Sequence, residues 1–510
     1  MGEKLKGACL KMKVSCHFLM IIFLIMFSPF VISQVSTHFQ MTIGNPNRNG
    51  LVGNGITDLC WHNGQIYVGT GYGLSYSRDL GETWQNFTPA EYGGKGGISA
   101  LAVADDGTVW IATGYDTLVQ EDQSLSAGGG LRYRHPDSSN WVYIPQPKDA
   151  RTDTMGGMRP TTTHVQNITY DIAILDNQLW IASFGGGIRR SLDKGQTWEV
   201  ITTDGLPFSA LDYLNHRGFS VLAENGNIWV GTANGISKST DGGQTWERFS
   251  VGINQIPVEG GISGNWVIAL AHNPWDNSIW AVTLTTGGQE FNSISRTKNG
   301  GQSWDNLLKD ELQDGTFARN IAFFDSAIYI ATEKGMFKSV DDGATWYKFP
   351  VIEDKISGER LLTDDFYSVA TSPSHPPWHR LWMGSADGLA TSDDNGYSWV
   401  IYRSFVSTRT RTKPAVYAYP NPFSPERETV LRFQFDISRA GLVKIDIYNF
   451  AMEKVISLQA YQVEPVNNSF DRSATWDGRD NNGRMVDNGV YFFRAEVEKE
   501  VTWGKIVVIN

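Results

Sequence analysis

The stretch Ile228-Trp229-Val230-Gly231-Thr232, followed by Ser239-Thr240-Asp241-Gly242-Gly243-Gln244-Thr245-Trp246, decides the fold, because both halves recur along the chain in the same order. The first half is an apolar strand that ends in a small residue and a hydroxyl. The second half reads Ser-x-Asp-x-Gly-x-Thr-Trp. Each half has seven copies, some of them degenerate, and a unit repeated at this scale predicts a repeat architecture.

The copies are spread over most of the chain. The strand pattern begins at Ile66, Val109, Leu179, Ile228, Ile279, Ile328 and Leu381. The turn pattern places an acid or amide at Asp79, Asp193, Asp241, Asn299, Asp341 and Asp394, and a closing tryptophan at Trp84, Trp198, Trp246, Trp304, Trp346 and Trp399. A seventh, degenerate turn ends at Trp141 and carries Pro136 where the others carry Asp or Asn.

The residue types of the turn have a physical reason. Asp accepts hydrogen bonds from turn amides, Gly takes a positive φ, and Trp covers the neighbouring apolar layer. The pattern resembles the Asp-box, or BNR repeat, of sialidases, sortilin-type receptors, xyloglucanase-type glycosidases and photosystem assembly factors. The resemblance implies a structural and not a catalytic role for these side chains.

Each repeat supplies four short strands, which in the first copy are expected near residues 56–61, 66–70, 74–77 and 83–87. A single sheet that is apolar on both faces cannot bury them alone, whereas sheets stacked radially can. The sequence therefore predicts an all-β protein whose residues 34–403 form a seven-bladed β-propeller. A parallel solenoid is the alternative, although its repeat is usually shorter, about 20–30 residues. Residues 37–42 are a candidate outer strand for ring closure.

The N-terminus and the charge indicate export. Four lysines precede an apolar run of about 15 residues, too short to span a bilayer, so residues 1–33 are predicted to be a cleaved signal peptide. The net charge of -11 disfavours a nucleic-acid partner. Cleavage leaves Cys60 as the remaining thiol. The predicted location is secreted or on the outer cell surface, with no transmembrane span after cleavage.

A second module follows a Ser/Thr/Arg/Pro linker at residues 404–418. Residues 419–510 contain Tyr419-Pro420-Asn421-Pro422-Phe423, a Trp476-Asp477-Gly478 turn and Gly489-Val490-Tyr491-Phe492. These motifs resemble the Ig-like domain of the flagellar hook-capping type and the C-terminal sorting domain of type IX secretion substrates. The resemblance implies a small Ig-like β-sandwich that engages the secretion machinery. A plain sandwich without a sorting role is the alternative.

Propeller geometry separates the two rims. The turn motifs face one rim, and the long insertions (residues 114–128, 145–166, 202–217 and 284–292) face the other, which is therefore the candidate binding face. Residues just before an innermost strand should line the central mouth. They include Asp58, Tyr170, Asp171, His216, Arg217, Trp266, Arg319, Asp364 and Asp365. Pairing of these charges around a water-filled channel is the simpler alternative.

Catalytic motifs are lacking. The Arg-Ile-Pro motif of sialidases is missing, Met158-Arg159-Pro160 being the nearest match, and the chain has no Gly-x-Ser-x-Gly or His-Glu-x-x-His. We therefore predict a binding or scaffold propeller for an extracellular protein or glycan, without catalytic residues, metal or cofactor. The alternative is an extracellular glycoside hydrolase of the Asp-box propeller type. The repeat region also resembles the extracellular sensor propellers of two-component regulators, as the stretch Asp204-Gly205-Leu206-Pro207 indicates.

Overall fold

A computed structural model describes residues 48–120, 123–149, 162–252, 257–354, 360–372, 379–406, 416–425, 430–436, 441–462 and 471–509. The predicted signal peptide, the candidate strand at residues 37–42 and the Met158-Arg159-Pro160 segment lie outside these ranges, as do residues 407–415 of the predicted linker. Within the described ranges, no helix combines the length and the hydropathy needed to cross a bilayer.

Seven four-stranded antiparallel sheets follow one another along the chain, and we number them as blades one to seven. In each blade the four strands pair in sequence order. The first strand of each blade lies against the first strands of the two neighbouring blades, and that of blade seven lies against that of blade one. The first strands therefore form a closed inner ring. The predicted all-β propeller is confirmed.

The strands occupy equivalent positions in every blade. The first strands are Ile56–His62, Gly97–Val103, Thr169–Leu175, Gly218–Glu224, Trp266–His272, Ala318–Phe324 and Phe366–Thr371. The second strands are Gln65–Thr70, Val109–Gln120, Gln178–Ser183, Asn227–Thr232, Ile279–Leu284, Ala327–Thr332 and Leu381–Ser385. The third strands are Gly73–Ser77, Gln123–Arg134, Gly187–Ser191, Gly235–Ser239, Ser293–Thr297, Gly335–Ser339 and Gly388–Ser392. The fourth strands are Gln85–Phe87, Val142–Ile144, Glu199–Ile201, Glu247–Phe249, Asp305–Leu307, Tyr347–Lys348 and Val400–Tyr402.

Ring closure joins the two ends of the propeller. Blade seven takes all four of its strands from its own stretch of chain. A separate two-stranded sheet pairs Arg48–Gly50 with Ser404–Val406, and the Leu51 N–H donates to the Arg403 carbonyl at 3.2 Å. The chain segments that enter and leave the ring therefore seal it with backbone hydrogen bonds. Sequence reasoning did not predict this small sheet.

The Ser-x-Asp-x-Gly-x-Thr-Trp turns repeat one hydrogen-bond pattern. In blade four the Ser239 hydroxyl donates to Asp241 at 2.7 Å, and the Thr245 N–H and hydroxyl donate to the same carboxylate at 2.9 and 2.6 Å. Gly243 has a φ of +90°, and a Cβ there would lie 2.7 Å from the Trp180 ring of blade three. Each aspartate is thus occupied by its own turn, and the glycine permits close contact between blades.

The closing tryptophans pack between blades. The Trp304 ring of blade five meets Trp229 of blade four edge-to-face at 6.3 Å and is 5% exposed. The Trp246 ring of blade four meets Trp180 of blade three in the same way at 6.4 Å, but it is only half-buried. Much of the inter-blade core is therefore aromatic, and the depth of each tryptophan in it differs.

Lysine and arginine side chains link four pairs of neighbouring blades on the rim that carries the Ser-x-Asp-x-Gly-x-Thr-Trp turns. The residue before the motif serine or threonine donates to a backbone carbonyl of the next blade's turn: Arg190 to Gly242 at 2.5 Å, Lys238 to Gly300 at 3.0 Å, Arg296 to Asp342 at 3.0 Å and Lys338 to Asn395 at 3.1 Å. The cation also lies over the aromatic ring of its own second strand, at 5.0 Å for Lys238 and Trp229. Each cation therefore stabilises its own blade and the next one.

The C-terminal module is a β-sandwich. Its three-stranded sheet consists of Val416–Tyr419, Leu431–Asp436 and Asp471–Trp476, and its four-stranded sheet consists of Lys454–Gln462, Gly441–Tyr448, Gly489–Val497 and Glu500–Val508. The three quoted motifs meet in its core, where Trp476 lies 6.0 Å from Phe423 and 5.9 Å from Tyr491. The strands at 416–419 and 454–462 were not predicted.

Candidate functional site

A β-bulge opens the first strand of every blade. The pairing with the second strand slips by one residue at the same place in all seven blades, and the extra residues are Thr57, Ser99, Tyr170, Phe219, Ile268, Arg319 and Tyr367. Bulges bend a strand and redirect its side chains, and they are frequent next to functional sites. The bulges lie at the strand starts, on the rim that carries the insertions, and they outline the central mouth.

An aromatic arc occupies the mouth at blades three to five. The Phe219 ring lies 5.9 Å from Tyr170, 5.9 Å from Phe184 and 5.5 Å from Trp266. Tyr170, Phe184 and Trp266 are partly exposed, whereas Phe219 is buried beneath them. The structure therefore links two predicted residues, Tyr170 and Trp266, through Phe219, and it adds Phe184 to the arc; sequence reasoning missed both phenylalanines.

Arg217 completes the arc. Its guanidinium lies 5.3 Å from the centre of the Phe184 ring and donates from Nε to the Ala210 carbonyl at 2.7 Å. Burial lowers the pKa of Arg217, which nevertheless stays a cation at neutral pH. A fixed cation beside partly exposed rings is suited to stacking a planar or sugar-like group and to binding a negative or carbonyl oxygen.

A second cluster lies across blades six and seven. Arg319 pairs with Asp365 at 2.9 Å, and the Tyr367 hydroxyl donates to the same carboxylate at 2.6 Å. The Arg319 guanidinium also lies over the Tyr367 ring at 4.5 Å. Arg319 and Asp365, both predicted, therefore meet, and the bulge residue Tyr367 is the member that the sequence did not reveal.

Asp58 and Asp171 join blades at the channel wall. Asp58 accepts the Leu101 N–H of blade two at 2.8 Å, and Asp171 accepts the Val221 N–H of blade four at 2.9 Å. Burial, and secondarily the charge of Asp171, raises the pKa of Asp58 to about 7, and burial raises the pKa of Asp171 to about 6. In blade six, Asn320 makes the equivalent bond to Val369 at 3.3 Å.

His216 and Asp364 do not join these clusters. His216 ends the short 3-10 helix Leu214–His216 and is 2% exposed. Its Nδ1 accepts the Ser209 N–H at 3.0 Å, and its Nε2 lies 3.1 Å from Asp204, so it organises the connection between blades three and four. Asp364 is exposed, and its carbonyl accepts the Gly335 N–H at 2.7 Å.

Hydrogen bonds hold the insertions of blades two and five in place. The blade-two insertion lengthens a hairpin to Val109–Gln120 and Gln123–Arg134, and the Gln166 N–H donates to the Ser126 carbonyl at 2.7 Å. In blade five, Glu290 accepts the Asn265 side-chain amide at 2.8 Å. Several apolar side chains of the insertions are exposed: Leu118, Leu206, Leu211 and Leu214. Val258, in the connection between blades four and five, is exposed as well. Exposed apolar side chains concentrated on one rim are typical of an interaction face.

The carboxylates of the mouth have partners within the protein. Asp58, Asp171 and Asp365 each hold backbone or side-chain partners within the protein. Among the described residues, no group of three or more His, Cys, Asp or Glu side chains is placed to hold a metal ion. The Cys60 thiol lies on the first strand of blade one, where burial raises its pKa to about 12, so it remains a thiol at neutral pH.

Fold and site together define an all-β propeller with an aromatic and charged mouth, joined to a β-sandwich. No family model matches the chain, and no curated protein matches it. Among solved structures it is similar to PorZ, a surface component of the type IX secretion system of Porphyromonas gingivalis, with 16% identity, a TM-score of 0.45 and coverage of 92% of this chain and 61% of that one.

Two further solved structures are similar to this chain. The extracellular domain of BT4673 from B. thetaiotaomicron has 15% identity, a TM-score of 0.45 and coverage of 94% of this chain and 58% of that one. The GH74 enzyme of Niastella koreensis has 13% identity, a TM-score of 0.48 and coverage of 91% and 75%. The chain thus spans about three fifths of the length of PorZ and of the BT4673 domain. Such likenesses assign neither a ligand nor an activity to it.

Proposed function

We propose that this chain is a secreted or surface-attached propeller that binds an extracellular protein or glycan at its mouth. The aromatic arc carries the proposal, because Tyr170, Phe184 and Trp266 present partly exposed rings beside the Arg217 cation. Aromatic rings and arginine are the side chains that most often anchor ligands. The exposed apolar loops of the same rim add contact area around this centre.

Trp266→Ala tests the arc, with Trp275→Ala as its control. Trp275 is 60% exposed and lies in the turn between the first and second strands of blade five, on the opposite rim. Both proteins are passed over immobilised glycans and a peptide array. We expect Trp266→Ala to lose roughly tenfold or more in affinity for the ligand that wild type retains, and Trp275→Ala to bind normally. Equal retention by wild type and Trp266→Ala would disprove the proposed mouth.

A glycoside hydrolase is the second candidate, and one observation favours it. Asp58 and Asp171 have pKa values raised to about 7 and about 6, the direction that a general acid requires. Both carboxylates also hold backbone amides of the next blade, which favours a structural role. The same glycan panel is therefore analysed for released product. Turnover that disappears in Asp58→Asn or Asp171→Asn would replace the binding function with catalysis.

The turn motifs, the module boundaries and the export route belong to the same proposal. We assign the Ser-x-Asp-x-Gly-x-Thr-Trp turns as Asp-boxes, residues 1–33 as a signal peptide, 34–403 as the propeller and 419–510 as an Ig-like sorting domain. The packing of all three C-terminal motifs into one core supports the last assignment. Deleting residues 416–510 should leave the protein in the periplasm of a type IX-secreting host, and unchanged secretion would refute the sorting role.

A further inference from the structure

A buried cluster of charges joins the propeller to the sandwich. Asp387 lies in the turn between the second and third strands of blade seven. Its carboxylate pairs with Arg403 of the propeller at 3.0 Å and with Arg432 of the sandwich strand Leu431–Asp436 at 2.5 Å. The three side chains are only 12%, 8% and 4% exposed. A carboxylate buried between two guanidinium groups is a strong and directional contact.

The same carboxylate also fixes the chain that leads into the mouth. The Leu362 N–H donates to Asp387 at 3.0 Å, and Arg403 donates to the Asp387 and Arg360 carbonyls at 2.9 and 2.5 Å. Leu362 lies three residues before Asp365, the acid that pairs with Arg319 at the mouth. One buried acid therefore contacts the sandwich, the edge of blade seven and the connection between blades six and seven.

The burial of Arg432 is unusual for its position on the sheet. Leu431, Phe433 and Phe435 alternate with it and point into the sandwich core, fully buried. Arg432 is thus on the outward face of the three-stranded sheet, where a charged side chain would normally be solvated, yet it is 3% exposed. On the outward side of the four-stranded sheet, by contrast, Trp503 is 48% exposed.

We propose that blade seven carries a docking site for the protein's own C-terminal sandwich, in which Asp387 receives Arg432 and holds the two modules as one body. Burial of an arginine in the outward face of a sheet requires a partner of opposite charge, and Asp387 supplies it. Arg403 keeps that carboxylate in place. The docked sandwich presents its three-stranded sheet to the propeller and leaves the outward face of its four-stranded sheet accessible.

Small-angle X-ray scattering of the mature chain tests the docking. Arg432→Met keeps the length and apolar stem of the side chain and removes its charge, and Arg432→Lys keeps a charge. Arg494→Met is the matched control, because Arg494 lies on the four-stranded sheet and pairs with Glu496 of its own module at 3.1 Å. Tryptophan fluorescence verifies that every variant is folded.

We expect a small maximum dimension for the wild-type protein and Arg494→Met, and one close to it for Arg432→Lys. The maximum dimension of Arg432→Met should be clearly larger. High salt should increase the maximum dimension of the wild-type protein less than Arg432→Met does, because the Asp387–Arg432 pair is shielded from solvent. Separated modules in the wild-type protein would overturn the proposal. So would a folded Arg432→Met protein with the wild-type profile, or an equal expansion of Arg432→Met and Arg494→Met.

Discussion

Replacing Asp58 by Asn should remove much of the pH dependence of propeller stability. Burial and the charge of Asp171 raise the pKa of Asp58 from 3.8 to about 7 in the folded protein. A carboxyl group whose folded pKa is raised contributes stability that is complete below the unfolded pKa and is lost as the pH rises through the folded one. The contribution of Asp58 is therefore present near pH 4 and lost by pH 8.

The size of the effect follows from the two pKa values. A single group with folded and unfolded pKa values of about 7 and about 4 loses roughly 2.5 kcal/mol of unfolding free energy between about pH 5 and about pH 8. Asp58 keeps part of its surface exposed to solvent, so water screens its charge and the expected loss is about 1.5–2.5 kcal/mol. Asn keeps one of the two bonds that Asp58 makes to backbone N–H groups. The bond it loses costs about the same at every pH, roughly 1 kcal/mol.

The assay is urea unfolding followed by tryptophan fluorescence at several pH values. Subtracting the Asp58→Asn curve from the wild-type curve gives the titration of Asp58 together with its coupling to Asp171. The matched reverse substitution is Asn320→Asp, which places a carboxylate at the equivalent position of blade six. It should lower the unfolding free energy at high pH by a similar amount. If Asp58→Asn keeps the wild-type slope between pH 5 and pH 8, Asp58 is not the buried titrating group and the argument is wrong.

Three other substitutions test the packing between blades. Trp304→Ala should cost about 3–5 kcal/mol of unfolding free energy, because Trp304 is buried. Trp246→Ala should cost about half of that, because Trp246 is half-buried. Equal losses of unfolding free energy in the two variants would contradict this order. Lys238→Met should cost about 1–2 kcal/mol, since it removes the bond to Gly300 and the contact with the Trp229 ring. Lys334→Met is the control for Lys238→Met: it breaks an exposed pair with Asp314, so thermal unfolding should shift clearly less.

The repeat could be predicted because its information is local. Eight residues contain the serine, aspartate, glycine and threonine of one turn, and the hydrogen bonds of Asp241 reach only two to four residues along the chain. In blade one the first three strands begin and end within one residue of the predicted bounds, and the fourth begins two residues later. Turn chemistry and strand pattern therefore specify each blade, whichever blades flank it.

The mouth was only partly accessible to sequence reasoning. Position in the repeat predicted that Arg319, Asp365, Tyr170 and Trp266 lie around one mouth. In the structure Arg319 pairs with Asp365, and the Phe219 ring contacts both Tyr170 and Trp266. Phe219 and Tyr367 were missed, whereas Tyr170 and Arg319, at the equivalent bulge positions of blades three and six, were predicted without the bulge being recognised. A bulge depends on how two strands pair, and periodicity along one strand does not reveal it.

The sequence by itself determined the all-β class, the repeat and the order of its parts, because these depend on contacts between residues a few positions apart. Only the tertiary structure decided which side chains meet across the ring and between modules. Asp58 meets Leu101 at a separation of 43 residues, Asp171 meets Val221 at 50, and Arg432 meets Asp387 at 45. Such partners are selected by the angle and distance at which whole blades pack, and no local pattern in the chain records those quantities.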